Sequence, residues 1–97
     1  MISLIVTVRA KPGMEKEYER IAGTFSRHVE ANRPGCLLFR TYRTDDPREF
    51  ITIEHFEDEA ALKAHQAHAE TKERLEELRS VLDGNLQARI FTESEAV

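Results

Sequence analysis

Two kinds of hydrophobic period follow one another along this chain, and their order constrains the fold more than any single residue does. Apolar residues occupy every second position from Ile2 to Val8, which is the period of a strand. Over residues 14–32 they recur every three or four positions, which is the period of an amphipathic helix. The strand period returns over residues 36–44 and 50–56, the helical spacing over residues 58–82, and the strand period over residues 86–91. The sequence therefore predicts the order β-α-β-β-α-β.

Turn-forming residues separate these segments. The breaks are Lys11-Pro12-Gly13, Arg33-Pro34-Gly35, Asp45-Asp46-Pro47-Arg48 and Asp83-Gly84-Asn85. Asp58 is suited to cap the start of the second helical segment, because its side chain can accept a hydrogen bond from a free backbone N–H. We predict a single domain over residues 1–92, followed by a tail over residues 93–97.

This order is that of the ferredoxin-like fold, an α+β architecture in which two helices cover one face of a four-stranded antiparallel sheet. The other face would carry Ile5, Ile51 and Ile53, together with the Leu37 and Phe39 side of the hairpin. Such a face is too apolar for water in a stable monomer of 97 residues. We therefore expect a homodimer that covers the sheet.

Charge and cysteine content exclude several classes of function. The formal net charge is −4, and the basic residues are scattered, so nucleic acid is not an expected partner. The single cysteine, Cys36, fits a reducing compartment, and no basic and apolar leader precedes the first strand pattern. No apolar run is long enough to span a membrane. We expect a cytoplasmic protein without a membrane partner.

Two polar residues occupy positions that suit apolar side chains. Glu54 lies inside the β-rich run from Phe50 to Phe56, and His65 lies on a helix face otherwise formed by Ala61 and Leu62. A carboxylate in a strand of this kind needs a partner, so Glu54 could fix an imidazole tautomer or anchor nearby backbone groups. His65 could simply pack and hydrogen-bond, or it could act as a general base or bind a substrate. Both residues are candidates for catalysis, and a structural role stays open for each.

A metal site is the weaker interpretation of the histidines. His65 and His68 are three positions apart and share a helix face. Two imidazoles are too few ligands, and Glu54 and His55 cannot both join them, because neighbours in a strand point to opposite faces. The glycines are isolated and form no phosphate-binding loop. We expect neither a metal ion nor a cofactor.

Short motifs spread over nearly the whole chain are together similar to one family. They are Lys11-Pro12-Gly13, Arg33-Pro34-Gly35-Cys36-Leu37, Asp46-Pro47 with Phe50, Glu54 and Phe56, and Ala60-Ala61-Leu62 with Ala64-His65. In order and spacing they resemble the antibiotic biosynthesis monooxygenase family of dimeric α+β barrel proteins. Glu54 and His65 match recurrent Glu and His positions of that family.

The resemblance implies a homodimer whose sheets form a barrel, with a small cavity between each sheet and its helices. It also implies a cofactor-independent monooxygenase that oxidises a small electron-rich quinol, phenol or polyketide-type aromatic with dioxygen. In this chain the cavity would be lined by Phe25, Phe39 and Phe56, with His65 nearest the phenol as the base. Two alternatives stay open: a noncatalytic dimeric module that binds a small ligand, and an isomerase of a small signalling metabolite.

The chain departs from the family pattern at two positions. Phe56 stands at the end of the third strand, where many members have Trp, and Glu70 stands where a second His is often found. The sequence contains no Trp. The haem-degrading branch of the family, in which a Trp shapes the haem pocket, is therefore the less suitable comparison.

Overall fold

A computed structural model describes residues 1–94 of the chain. Over that range the elements are β1 (Ile2–Arg9), α1 (Glu15–Asn32), β2 (Cys36–Arg43), β3 (Glu49–Phe56), α2 (Glu59–Ala67), α3 (Ala69–Arg79) and β4 (Gln87–Thr92). All neighbouring strands are antiparallel, in the order β2-β3-β1-β4. The predicted α+β, ferredoxin-like architecture is confirmed. No helix within residues 1–94 is both long and apolar enough to span a membrane.

The predicted tail is described only in part. The amide of Glu93 donates a hydrogen bond to the carbonyl oxygen of Met1 at 3.2 Å, which extends the pairing of β1 and β4 by one contact. The last three residues, 95–97, lie outside the described residues. The domain boundary at residue 92 stays a prediction.

The core lies between the helices and one face of the sheet, and it has two clusters. One cluster joins Val8 and Phe50 of the sheet to Tyr18 of α1 and Leu78 of α3. The second contains Leu4, Phe39 and Phe56 of the sheet, Val29 of α1 and Leu62 of α2. Alternation along β1 and β3 places these strand residues on the same face, so one stripe of each helix is enough to cover them.

The second helical segment is interrupted at His68, contrary to the single helix that the spacing predicts. The backbone of His68 is extended, with ψ at 137°, and its Nδ1 accepts a hydrogen bond from the amide of Glu70 at 3.1 Å. His68 thus ends α2 and caps α3, which itself ends at Arg79 rather than near Leu82. The break lets α3 turn toward α1, against which it packs. Neither glycine nor proline marks this position, so the sequence gives no conventional signal for it.

A β-bulge in β2 changes which side chains face the helices. The register shifts between Cys36 and Leu38, so that Leu37 is the extra residue. Leu37 is 55% exposed, whereas Phe39 is buried on the helix-facing side, opposite Glu54. The expectation that Leu37 and Phe39 share the uncovered side of the hairpin is therefore wrong, because the bulge reverses the alternation. The resemblance to the family instead implies that Phe39 lines a cavity between the sheet and the helices, and this position agrees with the register.

The uncovered face carries the predicted isoleucines. Ile5 of β1 pairs with Ile53 of β3, and Ile51 lies one repeat further along the same strand. Ile5 remains 36% exposed, and Tyr42 and Phe91 are also exposed on this face. The sheet thus presents a mixed apolar surface on the side away from the helices.

Candidate active site

A cavity of about 180 Å³ opens between the helices and the covered face of the sheet. Much of its wall is aliphatic or aromatic, with side chains from β1, α1 and α3 that include Leu4, Val6, Phe25, Leu75 and Leu78. Glu54 and His65 reach it from β3 and α2. Cavities that bind small molecules are typically of this kind, apolar with a few convergent polar groups.

Glu54 enters the cavity from the middle of β3. Its direct neighbours in the adjacent strands are Leu4 and Phe39, so the carboxyl group lies in an apolar layer of the sheet. It is 7% exposed, and burial raises its pKa to about 7, since water no longer stabilises the charged form. No hydrogen bond or opposite charge within residues 1–94 offsets this shift. The expected anchoring of the backbone, or pairing with an imidazole, has no supporting contact in the described part of the chain.

His65 is held over this layer by α2. Asp58 caps the helix as predicted, because its Oδ1 accepts a hydrogen bond from the amide of Ala61 at 2.8 Å. The imidazole is 4% exposed and lies 5.2 Å, centroid to centroid, from each of Phe39 and Phe56. These contacts fix the ring between the sheet and the helices.

Thr71 of α3 is the polar neighbour of this imidazole. Its hydroxyl lies 3.5 Å from Nδ1 of His65. If the hydroxyl donates to Nδ1, the ring proton resides on Nε2, which is then a hydrogen-bond donor. Burial, followed by the charges of Arg33 and His68, lowers the pKa of His65 to about 4. The imidazole is therefore neutral near pH 7.

Arg33 supplies a buried positive charge beside this site. Two of its guanidinium nitrogens, Nη1 and Nη2, are buried without a hydrogen-bond partner in the described structure. The nearest carboxylate oxygen is Oε1 of Glu70, at 3.7 Å from Nη2. The same carboxylate also faces Nε2 of His28 at 3.0 Å and Nε2 of His68 at 3.7 Å. Glu70 thus joins the end of α1 to the start of α3, and Arg33 opposes protonation of His65.

The three predicted phenylalanines have different positions. Phe25 and Phe39 border the cavity, as the resemblance implies. Phe56 is fully buried and packs against the imidazole of His65, but it does not form part of the cavity wall. Its position supports the orientation of His65 rather than a direct contact with a substrate.

Within residues 1–94, no group of three or more His, Cys, Asp and Glu side chains could hold a metal ion. His65 and His68 do not form a pair on one helix, since the helix is interrupted at His68, between α2 and α3. His68 instead uses its Nδ1 to cap α3.

Hydroxyl side chains at the cavity were not identified from the sequence. Tyr18, Ser26, Thr52 and Thr71 all border it. Ser26 lies on the apolar stripe of α1, and Thr52 lies two positions before Glu54 on the same face of β3. A polar residue on an otherwise apolar face is the sequence pattern that indicates Glu54 and His65 as candidates. The same signal would have found Ser26 and Thr52.

Comparison with known proteins places the chain in a family. Residues 1–73 match the antibiotic biosynthesis monooxygenase family, whereas no curated protein gives a significant match. A structure from Deinococcus radiodurans, provisionally described as an antibiotic biosynthesis monooxygenase, is similar with a TM-score of 0.91 and 18% identity, covering 100% of this chain and 96% of that chain. A structure from Caulobacter crescentus CB15 with the same provisional description has a TM-score of 0.90 and 22% identity, over 97% and 90% of the two chains. A protein from Pseudomonas aeruginosa has a TM-score of 0.85 and 26% identity, over 96% and 93%. With three quarters of its sequence matched and its fold shared, the chain belongs to the antibiotic biosynthesis monooxygenase family.

Proposed function

We propose that this protein is a cofactor-independent monooxygenase that oxidises a small electron-rich phenol or quinol with dioxygen. The observation that carries the proposal is that Glu54 and His65 are both buried at one cavity whose wall is otherwise largely apolar. An engineered apolar cavity of about 150 Å³ holds benzene. The cavity here, at about 180 Å³, has room for one substituted aromatic ring.

The geometry and the pKa values favour different roles for the two residues from those that the resemblance suggests. A general base works best when its pKa is close to the working pH. Glu54, with a pKa of about 7, fits that requirement, whereas His65, with a pKa of about 4, is a weak base. In our proposal Glu54 removes the phenolic proton. Neutral His65 donates a hydrogen bond from Nε2 to the oxygen that becomes negative.

The reaction balances without an added reductant. For a hydroquinone, the deprotonated substrate gives one electron to dioxygen, and the resulting superoxide and semiquinone combine to form a C–O bond on the ring. Protonation and loss of water then break the O–O bond and leave a hydroxyquinone. Dioxygen receives four electrons, all from the substrate, so one oxygen atom enters the product and the other leaves as water.

We also propose a homodimer that covers the sheet face opposite the helices. Ile5, Tyr42 and Phe91 are exposed there, and an apolar face of this kind is unusual for a free surface. Membership of a family of dimeric barrel proteins supports the same arrangement. In such a dimer the cavity of each protomer would lie on the outer side of its sheet, between sheet and helices.

Oxygen uptake with a panel of hydroquinones, simple phenols and anthrones tests the proposed reaction. We expect one equivalent of dioxygen to be consumed per substrate, with a product that has gained one oxygen atom and lost two hydrogens. Glu59→Gln, at an exposed position of α2, is the matched control for Glu54→Gln. Conversion under nitrogen would favour the isomerase. Binding of phenols without any turnover would favour a noncatalytic binding module.

A further inference from the structure

Arg33 carries a buried charge that the surrounding structure leaves unpaired. Its side chain is 7% exposed. Within residues 1–94, its Nη1 and Nη2 are the buried side-chain polar atoms that lack a hydrogen-bond partner. A buried charge without a partner is destabilising. The guanidinium is therefore better explained by its effect on neighbouring groups than by a contribution to the stability of the fold.

Glu70 has the carboxylate nearest to Arg33, but it offsets the positive charge only in part. Its Oε1 lies 3.7 Å from Nη2 of Arg33, which is beyond hydrogen-bond distance. The same carboxylate is shared with two imidazoles, at 3.7 Å from Nε2 of His68 and 3.0 Å from Nε2 of His28. The Glu70 side chain is also 47% exposed, so water screens its charge. Arg33 thus retains a positive charge that is not fully compensated.

The start of α3 brings Arg33 close to His65. Glu70 and Thr71 are consecutive residues there, and Glu70 faces Arg33 while the hydroxyl of Thr71 lies 3.5 Å from Nδ1 of His65. Burial is the main cause that lowers the pKa of His65 to about 4, and the charge of Arg33 is the second cause. The guanidinium is therefore near enough to the imidazole to oppose a second positive charge.

His65 lies over the two residues of the sheet that adjoin Glu54. Phe39 pairs with Glu54 across β2 and β3, and Phe56 is two positions further along β3 on the same face. The imidazole packs on both rings, at 5.2 Å between centroids. A protonated His65 would thus lie near a carboxylate in a largely apolar space, where opposite charges attract strongly. Such an ion pair would favour the charged form of Glu54 and lower its pKa.

We propose that Arg33 is a positioning residue that holds His65 neutral and thereby prevents an ion pair between His65 and Glu54. Without the ion pair, Glu54 keeps the pKa of about 7 that suits a general base. Arg33 does not border the cavity, so it acts through His65 and not on a substrate. The importance of this arrangement for oxidation rests on the proposed function, whereas the protonation states of His65 and Glu54 do not.

The other charged groups around His65 do not replace Arg33. The charge of His68 also opposes protonation of His65, but the His68 side chain is 42% exposed and water screens it. Arg74 borders the cavity from α3, and its guanidinium is paired with a carboxylate of the same helix at 2.7 Å. Apart from Glu54, the elements packed against the imidazole present uncharged groups, those of Phe25, Phe39, Phe56 and Thr71.

The test measures the protonation of His65 by NMR, without substrate or turnover. The imidazole C–H resonances, assigned by their loss in His65→Gln, are followed from about pH 3.5 to 8. Arg33→Met removes the charge and keeps an unbranched side chain, whereas Arg33→Lys keeps the charge. Arg27→Met is the matched control, because it removes a charge from an exposed position of α1. Circular dichroism confirms that each variant is folded.

We expect His65 of the parent to titrate at about pH 4. In Arg33→Met it should titrate about one pH unit higher, because a nearby positive charge has been removed. Arg33→Lys and Arg27→Met should stay within about half a unit of the parent. The carboxyl group of Glu54 should titrate at lower pH in Arg33→Met than in the parent. An unchanged His65 titration in Arg33→Met, an equal rise in Arg27→Met, or an unchanged Glu54 titration would overturn the proposal.

Glu70→Gln supplies a second measurement should Arg33→Met not fold. It removes the carboxylate that partly offsets Arg33, so His65 should titrate at lower pH than in the parent. A titration at or above the parental pH would contradict the role of Arg33. If the titrations shift as expected in a protein that consumes no oxygen, the role of Arg33 is upheld and the monooxygenase proposal is wrong. Oxygen consumption by a parent whose His65 titration does not depend on Arg33 would give the reverse conclusion.

Discussion

Glu54 and His65 reach one cavity from β3 and α2, and burial shifts their pKa values in opposite directions, to about 7 and to about 4. Between these values the carboxyl group is mainly protonated and the imidazole is mainly neutral. Both side chains are therefore uncharged at mildly acidic pH in the folded protein. A cavity without charged groups suits an aromatic substrate whose hydroxyl group is still protonated.

The opposite shifts predict that the stability of the parent protein changes little between about pH 4.5 and 6.5. The pKa of Glu54 is raised from 4.5, so its contribution is fully present below pH 4.5 and is lost as the pH rises through 7. The pKa of His65 is lowered from 6.5, so its contribution is present above pH 6.5 and is lost as the pH falls through 4. Each of the two shifts changes the free energy of unfolding by about 1.4 kcal/mol per pH unit, and the two changes have opposite signs.

Urea denaturation at pH 4.5, 6.5 and 8 of the parent, Glu54→Gln and His65→Gln measures this compensation. In Glu54→Gln only the His65 shift remains, so the free energy of unfolding should rise by about 3 kcal/mol from pH 4.5 to 6.5. His65→Gln should show the reverse, a decrease in the free energy of unfolding as the pH rises from 4.5 to 8. Three proteins with the same pH dependence would contradict the opposite shifts.

The pH dependence of the oxidation rate should be set by Glu54 rather than by His65. We expect activity of the parent to rise with pH through an apparent pKa near 7, as Glu54 becomes ionised. Glu54→Gln should slow turnover by about 10² to 10⁴-fold, the usual contribution of a positioned general base. His65→Ala should also be slower but should retain the limb near pH 7.

The Glu59→Gln control should keep the parental rate and profile. If the limb near pH 7 disappeared in His65→Ala and persisted in Glu54→Gln, His65 would be the base and our assignment of the two roles would be reversed.

Association of two protomers should depend on the uncovered sheet face. Ile53→Lys places a charge beside Ile5, where the proposed dimer would exclude water. Sedimentation of the parent should give twice the chain mass of 11.2 kDa, and the variant should shift toward the single-chain value. Glu73→Lys, which introduces the same side chain on the exposed side of α3, should leave the dimer intact. If the parent is folded but sediments as a monomer at micromolar concentration, the proposed dimer through this sheet face is wrong.

Gly35 should be much less tolerant of alanine than Gly84. Both residues have positive φ, 78° and 86°, so either substitution costs about 1–2 kcal/mol in backbone strain. A Cβ at Gly35 would lie 2.5 Å from the Cβ of Ala61 in α2, whereas a Cβ at Gly84 meets nothing within 4 Å. Gly35→Ala should therefore lose about 1–3 kcal/mol more than Gly84→Ala, because α2 must shift. Equal melting temperatures for the two variants would show that α2 does not pack closely on this turn.

Several features were predictable from local sequence because their causes are local. The hydrophobic periods gave the order of elements, and Asp58 caps α2 as its residue type predicts. Polar residues on apolar faces identified Glu54 and His65, and both are buried at the cavity. The cytoplasmic location and the absence of a cofactor remain predictions.

The sequence by itself determined the order of the strands and helical segments, the buried faces of β1 and β3, and the two ionisable residues that lie on the buried faces of β3 and α2. Only the tertiary structure decided that Phe39 faces the helices, because a bulge shifts the register of β2 against β3. It also decided the break at His68, the position of Arg33 near His65 and the grouping of Ser26, Thr41 and Thr52. These features depend on contacts between residues far apart in the chain. A pKa shift likewise depends on how much water the surrounding elements exclude, which no local pattern records.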